Sequence, residues 1–189
     1  EPDLVDHLVL LTAPIDFKDA GIFATYAEHF PIEEFSASMS TMPSWLLAFS
    51  FQFVQPMGLY QKTKMFHDKF ESKSFIKLYN AMERWIADPV SFPAKAYYEL
   101  ITDLYKKNLL TQGRLMTAEG RQVDPAARRA KTLILNAGKD HIAPLCTTAL
   151  PASDKAPVSE VTIPSGHIGI TTGRNSKDAC RSAIDFLMN

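Results

Sequence analysis

The chain has little cysteine, almost no net charge, no leader-like start and no internal repeat, and each shortage removes a class of protein. Two cysteines, Cys146 and Cys180, make neither a disulfide framework nor a zinc site. A reducing, cytoplasmic compartment is the default reading. His7, His29 and His67 stand at no ligand spacing with each other or with cysteine, so no metal is expected. A net charge of −1 gives no reason to expect nucleic acid or an anionic membrane as partner. Arg121, Arg128, Arg129 and Lys131 form the densest basic group. It reads first as a solvated face, and second as a contact for a phosphate-bearing substrate such as a CoA ester. Glu1-Pro2-Asp3 is not the basic start of a signal peptide. It looks like the far end of a helix-to-strand connection, with a helix expected upstream of Glu1. Phe35–Gln61 carries no charged residue, but Pro43, Pro56, serines and glutamines interrupt it, so it predicts no membrane span. It reads either as a helix packed on other helices or as an apolar lid over an acyl-chain pocket.

What is present is a pair of buried-strand runs near the C-terminus. Leu133-Ile134-Leu135 leads through Ala137-Gly138 to Asp140-His141, and Val161-Thr162-Ile163 leads through Pro164-Ser165-Gly166 to His167. Short apolar runs bounded by Gly and Pro suggest strands buried on both faces, as parallel sheets require. Ligands of open parallel sheets bind outside the carboxyl ends of the strands. An Asp after one strand and a His after the next would then share that edge. This is the back half of a nucleophile–Asp–His triad, in the chain order of α/β-hydrolases. The alternative is a turn aspartate capping the next segment and a loop histidine beside glycine. His141 is expected to point away and make a structural hydrogen bond.

Leu8–Leu11 is a third buried-strand run, closed by Pro14 with Asp16 read as a turn residue. Between Lys18 and Arg128 strand signals give way to helical spacing in Ala20–Phe30, Trp45–Val54, Ser74–Trp85 and Pro93–Asn108, the last ending at Gln112-Gly113. Glu83 and Asp88 read as helix-surface or cap residues. Gly120 marks a turn in a short excursion at Leu115–Val123. Strands return at 131–137 and 158–164, and Ser176–Met188 is a closing helix. The expected class is α/β.

The motifs also match a family. Thr12-Ala13-Pro14-Ile15-Asp16-Phe17, Met82-Glu83-Arg84-Trp85-Ile86-Ala87-Asp88, Asp103-Leu104-Tyr105 with Asn108 and Leu109, Asp140-His141-Ile142-Ala143-Pro144 and Gly166-His167-Ile168-Gly169-Ile170 span nearly the whole chain. With them the chain resembles the C-terminal portion of polyhydroxyalkanoate (poly-3-hydroxybutyrate) synthases, most like the short two-subunit, class III-type enzymes. The resemblance implies the C-terminal part of an α/β-hydrolase fold, with 1–17 and 129–189 as partial core and 18–128 as helical cap. It implies acyl transfer from 3-hydroxyacyl-CoA to a growing polyester through a Cys-His-Asp triad, with Asp140 and His167 as its Asp and His and no cofactor. The family's Gly-x-Cys-x-Gly elbow does not occur in this chain, and Ser165 lacks the glycine of a serine elbow. Implied partners are the acyl-CoA, the polyester, the missing N-terminal half or a second synthase subunit, and a homodimer, in the cytoplasm at the polyester granule surface. A thioesterase, esterase or depolymerase on the same fold, and a non-catalytic interaction fragment, are the other readings.

Overall fold

The computed structural model describes residues 4–54 and 57–189; Glu1-Pro2-Asp3 and the Gln55-Pro56 pair lie outside the described residues. The chain forms two compact units, Glu1–Phe30 with Leu100–Asn189, and Pro31–Glu99.

The first unit is built on strand β6 (Lys131–Ala137), buried at every position after Lys131. It lies between β1 (His7–Leu11) and β7 (Val158–Ile163) in a three-stranded sheet, with both pairings parallel. Its near-continuous apolar run is what a strand covered on both faces needs. Leu133, Leu135 and Ala137 point to one face and pack with Ile163, Ile170 and Ala179, so helices α7 (Gly169–Thr172) and α8 (Ser176–Leu187) cover that side. Thr132, Ile134 and Asn136 point to the other face and are buried as well. β1 and β7 are only half-buried or exposed along most of their length. The expectation of strands buried on both faces therefore holds for β6 alone, because its neighbours are the sheet edges among the described residues. A parallel sheet flanked by helices gives the α/β class and is consistent with a partial α/β-hydrolase fold.

The same unit holds α1 (Ile22–His29), which packs on a π-helical segment at Leu100–Lys106. Phe17 and Tyr105 meet edge to face, ring centroids 4.8 Å apart. The helix expected to run to Gln112-Gly113 ends at Lys106: Asn108 adopts φ 51° and turns the backbone out of the spiral. Asparagine tolerates this left-handed conformation better than most residues. Leu115–Met116 (β4) and Gln122–Val123 (β5) pair as a small hairpin around Gly120, at φ 77°.

The second unit is mostly helical: α2 (Ile32–Ser38), α3 (Ser44–Val54), α4 (Gly58–Lys69), α5 (Lys73–Ile86) and α6 (Ala94–Glu99). Thr41–Met42 (β2) and Phe92–Pro93 (β3) add one antiparallel contact inside a block expected to lack strands. Ser72 caps α5, its hydroxyl accepting from Phe75 N–H. α4 and α5 meet through Lys62–Glu83 at 2.6 Å and the Phe66–Tyr79 rings at 4.9 Å. Helix α4 goes beyond the segments expected to be helical; most of its residues are polar and none is buried.

Leu135 is 2% exposed and Leu187 52%. Leu135→Ala should destabilise the sheet by about 2–5 kcal/mol, and Leu187→Ala by about 0.5 kcal/mol or less. Both tryptophans, Trp45 and Trp85, lie in the other unit. The measurement is therefore amide hydrogen exchange across Leu133–Leu135, where protection should fall for the first variant and hold for the second.

Candidate active site

The parallel pairing of β6 and β7 does not stop where the strands end. Gly138 N–H donates to Ile163 O at 2.8 Å and Lys139 N–H to Ser165 O at 2.9 Å, so the two outgoing loops leave the sheet side by side. One residue later the first loop carries Asp140, and two residues later the second carries His167. His167 Nδ1 lies 2.8 Å from Asp140 Oδ2. The structure thus brings together the Asp and His that the strand-end argument placed on one edge.

The aspartate is fixed before the histidine meets it. Its other oxygen, Oδ1, accepts from Ile142 N–H at 2.8 Å and Ala143 N–H at 2.9 Å, the Asx-type turn that the bland reading anticipated. The turn role and the histidine contact are therefore served by different oxygens of one carboxylate. The Asp140 side chain is 0% exposed and that of His167 28%. An ionised carboxylate only accepts, so the hydrogen between them belongs to Nδ1, and in the neutral ring Nε2 is left as the acceptor. Among the described residues Nε2 has no hydrogen-bond partner. The arrangement can take a proton at Nε2 while the buried carboxylate holds the ring in place and stabilises its cation.

The remaining candidates are placed elsewhere. Cys146 Sγ donates to Asp19 O at 3.3 Å and Cys180 is exposed on α8, so neither thiol is bonded to His167. His141 is exposed and, among the described residues, makes no side-chain hydrogen bond, contrary to the structural bond expected of it. Arg128 is half-buried rather than a solvated charge: its Nη1 donates to Pro125 O at 3.0 Å and Pro151 O at 2.8 Å, tying two loops. Glu83 is held by Lys62 on the helix surface. No group of three His, Cys, Asp or Glu side chains among the described residues is placed to hold a metal ion. An open cavity of about 600 Å³ lies along α1, lined by Lys18, Gly21, Thr25, Glu28, Tyr105 and Lys106. Burial raises the Tyr105 hydroxyl above its ordinary pKa. Neither Asp140 nor His167 lines this cavity.

Asp16 is the turn residue expected, its Oδ1 accepting from Lys18 N–H at 3.0 Å. The same oxygen also accepts from Asn108 Nδ2 at 2.8 Å across 92 residues of sequence, a bond that Asn108's place in a motif does not reveal. The one available signal was an Asn two residues after a helical run, a position that favours the left-handed conformation.

No protein-family model matches the chain. Among solved structures it is similar to MGS-M2, an alpha/beta hydrolase enzyme from a Medee basin deep-sea metagenome library, with a TM-score of 0.45, 10% identity, and coverage of 100% of this chain and 58% of that one. Among characterised sequences it is 28% identical over 192 aligned residues to the poly(3-hydroxyalkanoate) polymerase subunit PhaC of Thiocystis violacea, covering 100% of this chain and 54% of that protein. The subunit of the same name from Allochromatium vinosum is 27% identical with the same coverage, 100% and 54%. That of Synechocystis sp. is 29% identical, covering 94% and 50%. The chain spans about half the length of these relatives. Over its whole length it is PhaC-like, similar to a C-terminal portion of the poly(3-hydroxyalkanoate) polymerase subunits.

Proposed function

We propose that the chain is the proton-handling portion of a polyester-forming acyltransferase of the poly(3-hydroxyalkanoate) polymerase type. The observation that carries this reading is the buried Asp140 carboxylate on His167 Nδ1, in a chain similar end to end to polymerase subunits. In the proposed reaction a cysteine thiol outside this chain loses its proton to His167 Nε2. The thiolate then attacks the thioester carbonyl of a 3-hydroxyacyl-CoA. The C–S bond to CoA breaks, the CoA thiolate leaves with the proton from Nε2, and the acyl group stays on the cysteine. The hydroxyl of the next monomer or chain end gives its proton to Nε2 and attacks the acyl-enzyme, forming the ester and freeing the thiol. Asp140 holds the ring with Nδ1 protonated throughout and offsets the charge of the imidazolium. The names of the relatives favour a polymerase over a thioesterase, esterase or depolymerase on the same fold.

We take residues 18–128 as the helical insertion in a hydrolase-type core formed by 1–17 and 129–189; of that insertion, 18–30 and 100–128 fall in the same compact unit as the core, and 31–99 form the other unit. The partners that fit are the acyl-CoA, the growing polyester, and either the N-terminal half of the fold or a second synthase subunit, with a homodimer as the alternative cover for the sheet edge. No helix among the described residues is long and apolar enough to cross a membrane. A cytoplasmic site of action at the polyester granule surface follows from the family reading.

In a full-length subunit carrying this sequence, His167→Gln should lower CoA release from 3-hydroxybutyryl-CoA by about 10²–10⁴-fold, the usual contribution of a general base, with the circular dichroism spectrum unchanged. Near-normal release from the folded variant would remove His167 from the chemistry.

The chain by itself should lack turnover. β1 pairs only with β6 among the described residues, which leaves a parallel-type strand with one open edge. Light scattering on the isolated chain should therefore report self-association, and addition of the N-terminal portion should replace it with a defined complex that releases CoA. A stable monomer, or turnover without the added portion, would contradict this account.

A further inference from the structure

We propose that Asn108 is a positioning residue for the Asp140–His167 pair, acting through the turn at Ile15–Phe17. The proposal rests on the functional reading above only for its catalytic consequence; the geometry stands alone. Asn108 ends the π-helical segment in the left-handed conformation, and its side chain serves two masters in a distant part of the chain. Its amide donates to Asp16 Oδ1 at 2.8 Å, and its carbonyl oxygen accepts from Phe17 N–H at 3.1 Å. Both hydrogen-bonding ends of the amide are thus used to fix one turn. That turn in turn presents two backbone donors to one acceptor: Ile15 N–H at 2.6 Å and Asp16 N–H at 2.9 Å, both on Thr147 O.

Thr147 belongs to the short 3-10 turn Leu145–Thr147 that follows the aspartate loop, and it is 1% exposed. Its N–H and its hydroxyl both donate to Pro144 O, at 2.8 and 2.7 Å. Pro144 directly follows Ala143, whose N–H, with that of Ile142, holds Asp140 Oδ1. From Asn108 to His167 there is an unbroken series of hydrogen bonds and single covalent steps. Several of its links, at Phe17, Ala143, Asp140 and Thr147, are buried, where loose polar groups are costly. If the Asn108 anchor goes, the Ile15–Phe17 turn is released. The 144–147 turn then loses its outside support, and the two N–H groups that aim Asp140 lose theirs.

The ordinary alternative is that Asn108 is there only because its backbone is left-handed. Three variants of the full chain separate the two. Asn108→Gly keeps the backbone conformation and removes the side chain. Asn108→Asp sets a carboxylate against Asp16. The double variant Asn108→Asp with Asp16→Asn swaps donor and acceptor: the amide at position 16 can donate to position 108 and still accept from Lys18 N–H, which Asp16 Oδ1 now does at 3.0 Å. The readout is the far-downfield proton NMR resonance of the His167 Nδ1–H, assigned by its loss in Asp140→Asn and His167→Gln, with its rate of exchange with water.

Asn108→Gly and Asn108→Asp should each speed that exchange roughly tenfold, the value of an ordinary net hydrogen bond, or broaden the signal away. The swapped pair should bring it back, while circular dichroism stays constant throughout. An unchanged resonance in Asn108→Gly would overturn the proposal. So would a swapped pair that remains folded but stays as deficient as the single variants, or an unmodified chain with no resonance that Asp140→Asn removes. None of these readings uses acyl transfer, so a failure of the proposed reaction and a failure of this positioning role would be told apart.

Discussion

Two backbone hydrogen bonds at the end of a strand pair join the loops that carry Asp140 and His167. Gly138 N–H reaches Ile163 O and Lys139 N–H reaches Ser165 O, so the turns after β6 and β7 are bonded to each other where they leave the sheet. Parallel strands deliver their carboxyl ends to the same side, and this bonding turns a shared side into a shared point. The buried β6 supplies the rigidity behind this, since both its faces are covered.

Desolvation then makes the contact demanding. A carboxylate with a fully buried side chain must have its oxygens satisfied, and Asp140 does so with two backbone donors on one oxygen and the imidazole on the other. The division of labour fixes the tautomer of His167 and leaves Nε2 turned toward whatever occupies the edge. The partly exposed ring and the hidden carboxylate match what a base that charges and discharges requires: access at one nitrogen, a steady counter-charge at the other.

Much of this was legible in the residues. The runs at Leu8–Leu11, 131–137 and 158–164 became β1, β6 and β7 nearly residue for residue, each carrying short apolar, β-branched-rich segments that end in turn residues. The closing helix at Ser176–Leu187 followed from its spacing. The Asp140–His167 meeting followed from strand-end logic, with the family resemblance beside it. What stayed hidden was non-local or weakly patterned. Helix α4 lacks a buried stripe, and the short β2–β3 pairing depends on two segments that only the folded chain brings together. The Asp16–Asn108 bond joins residues that look like independent turn formers, since sequence spacing carries no record of a contact across 92 residues.

On the proposed reaction His167 governs, through Nε2, a nucleophilic thiol outside this chain. The most direct measurement is the pH dependence of alkylation of that thiol by iodoacetamide, in a full-length subunit carrying this sequence, with and without His167→Gln. A thiol that gives its proton to an imidazole should react as thiolate well below the ordinary cysteine pKa of about 8.5, and the His167→Gln variant should return the profile to that range. Identical profiles for the two proteins would contradict the account.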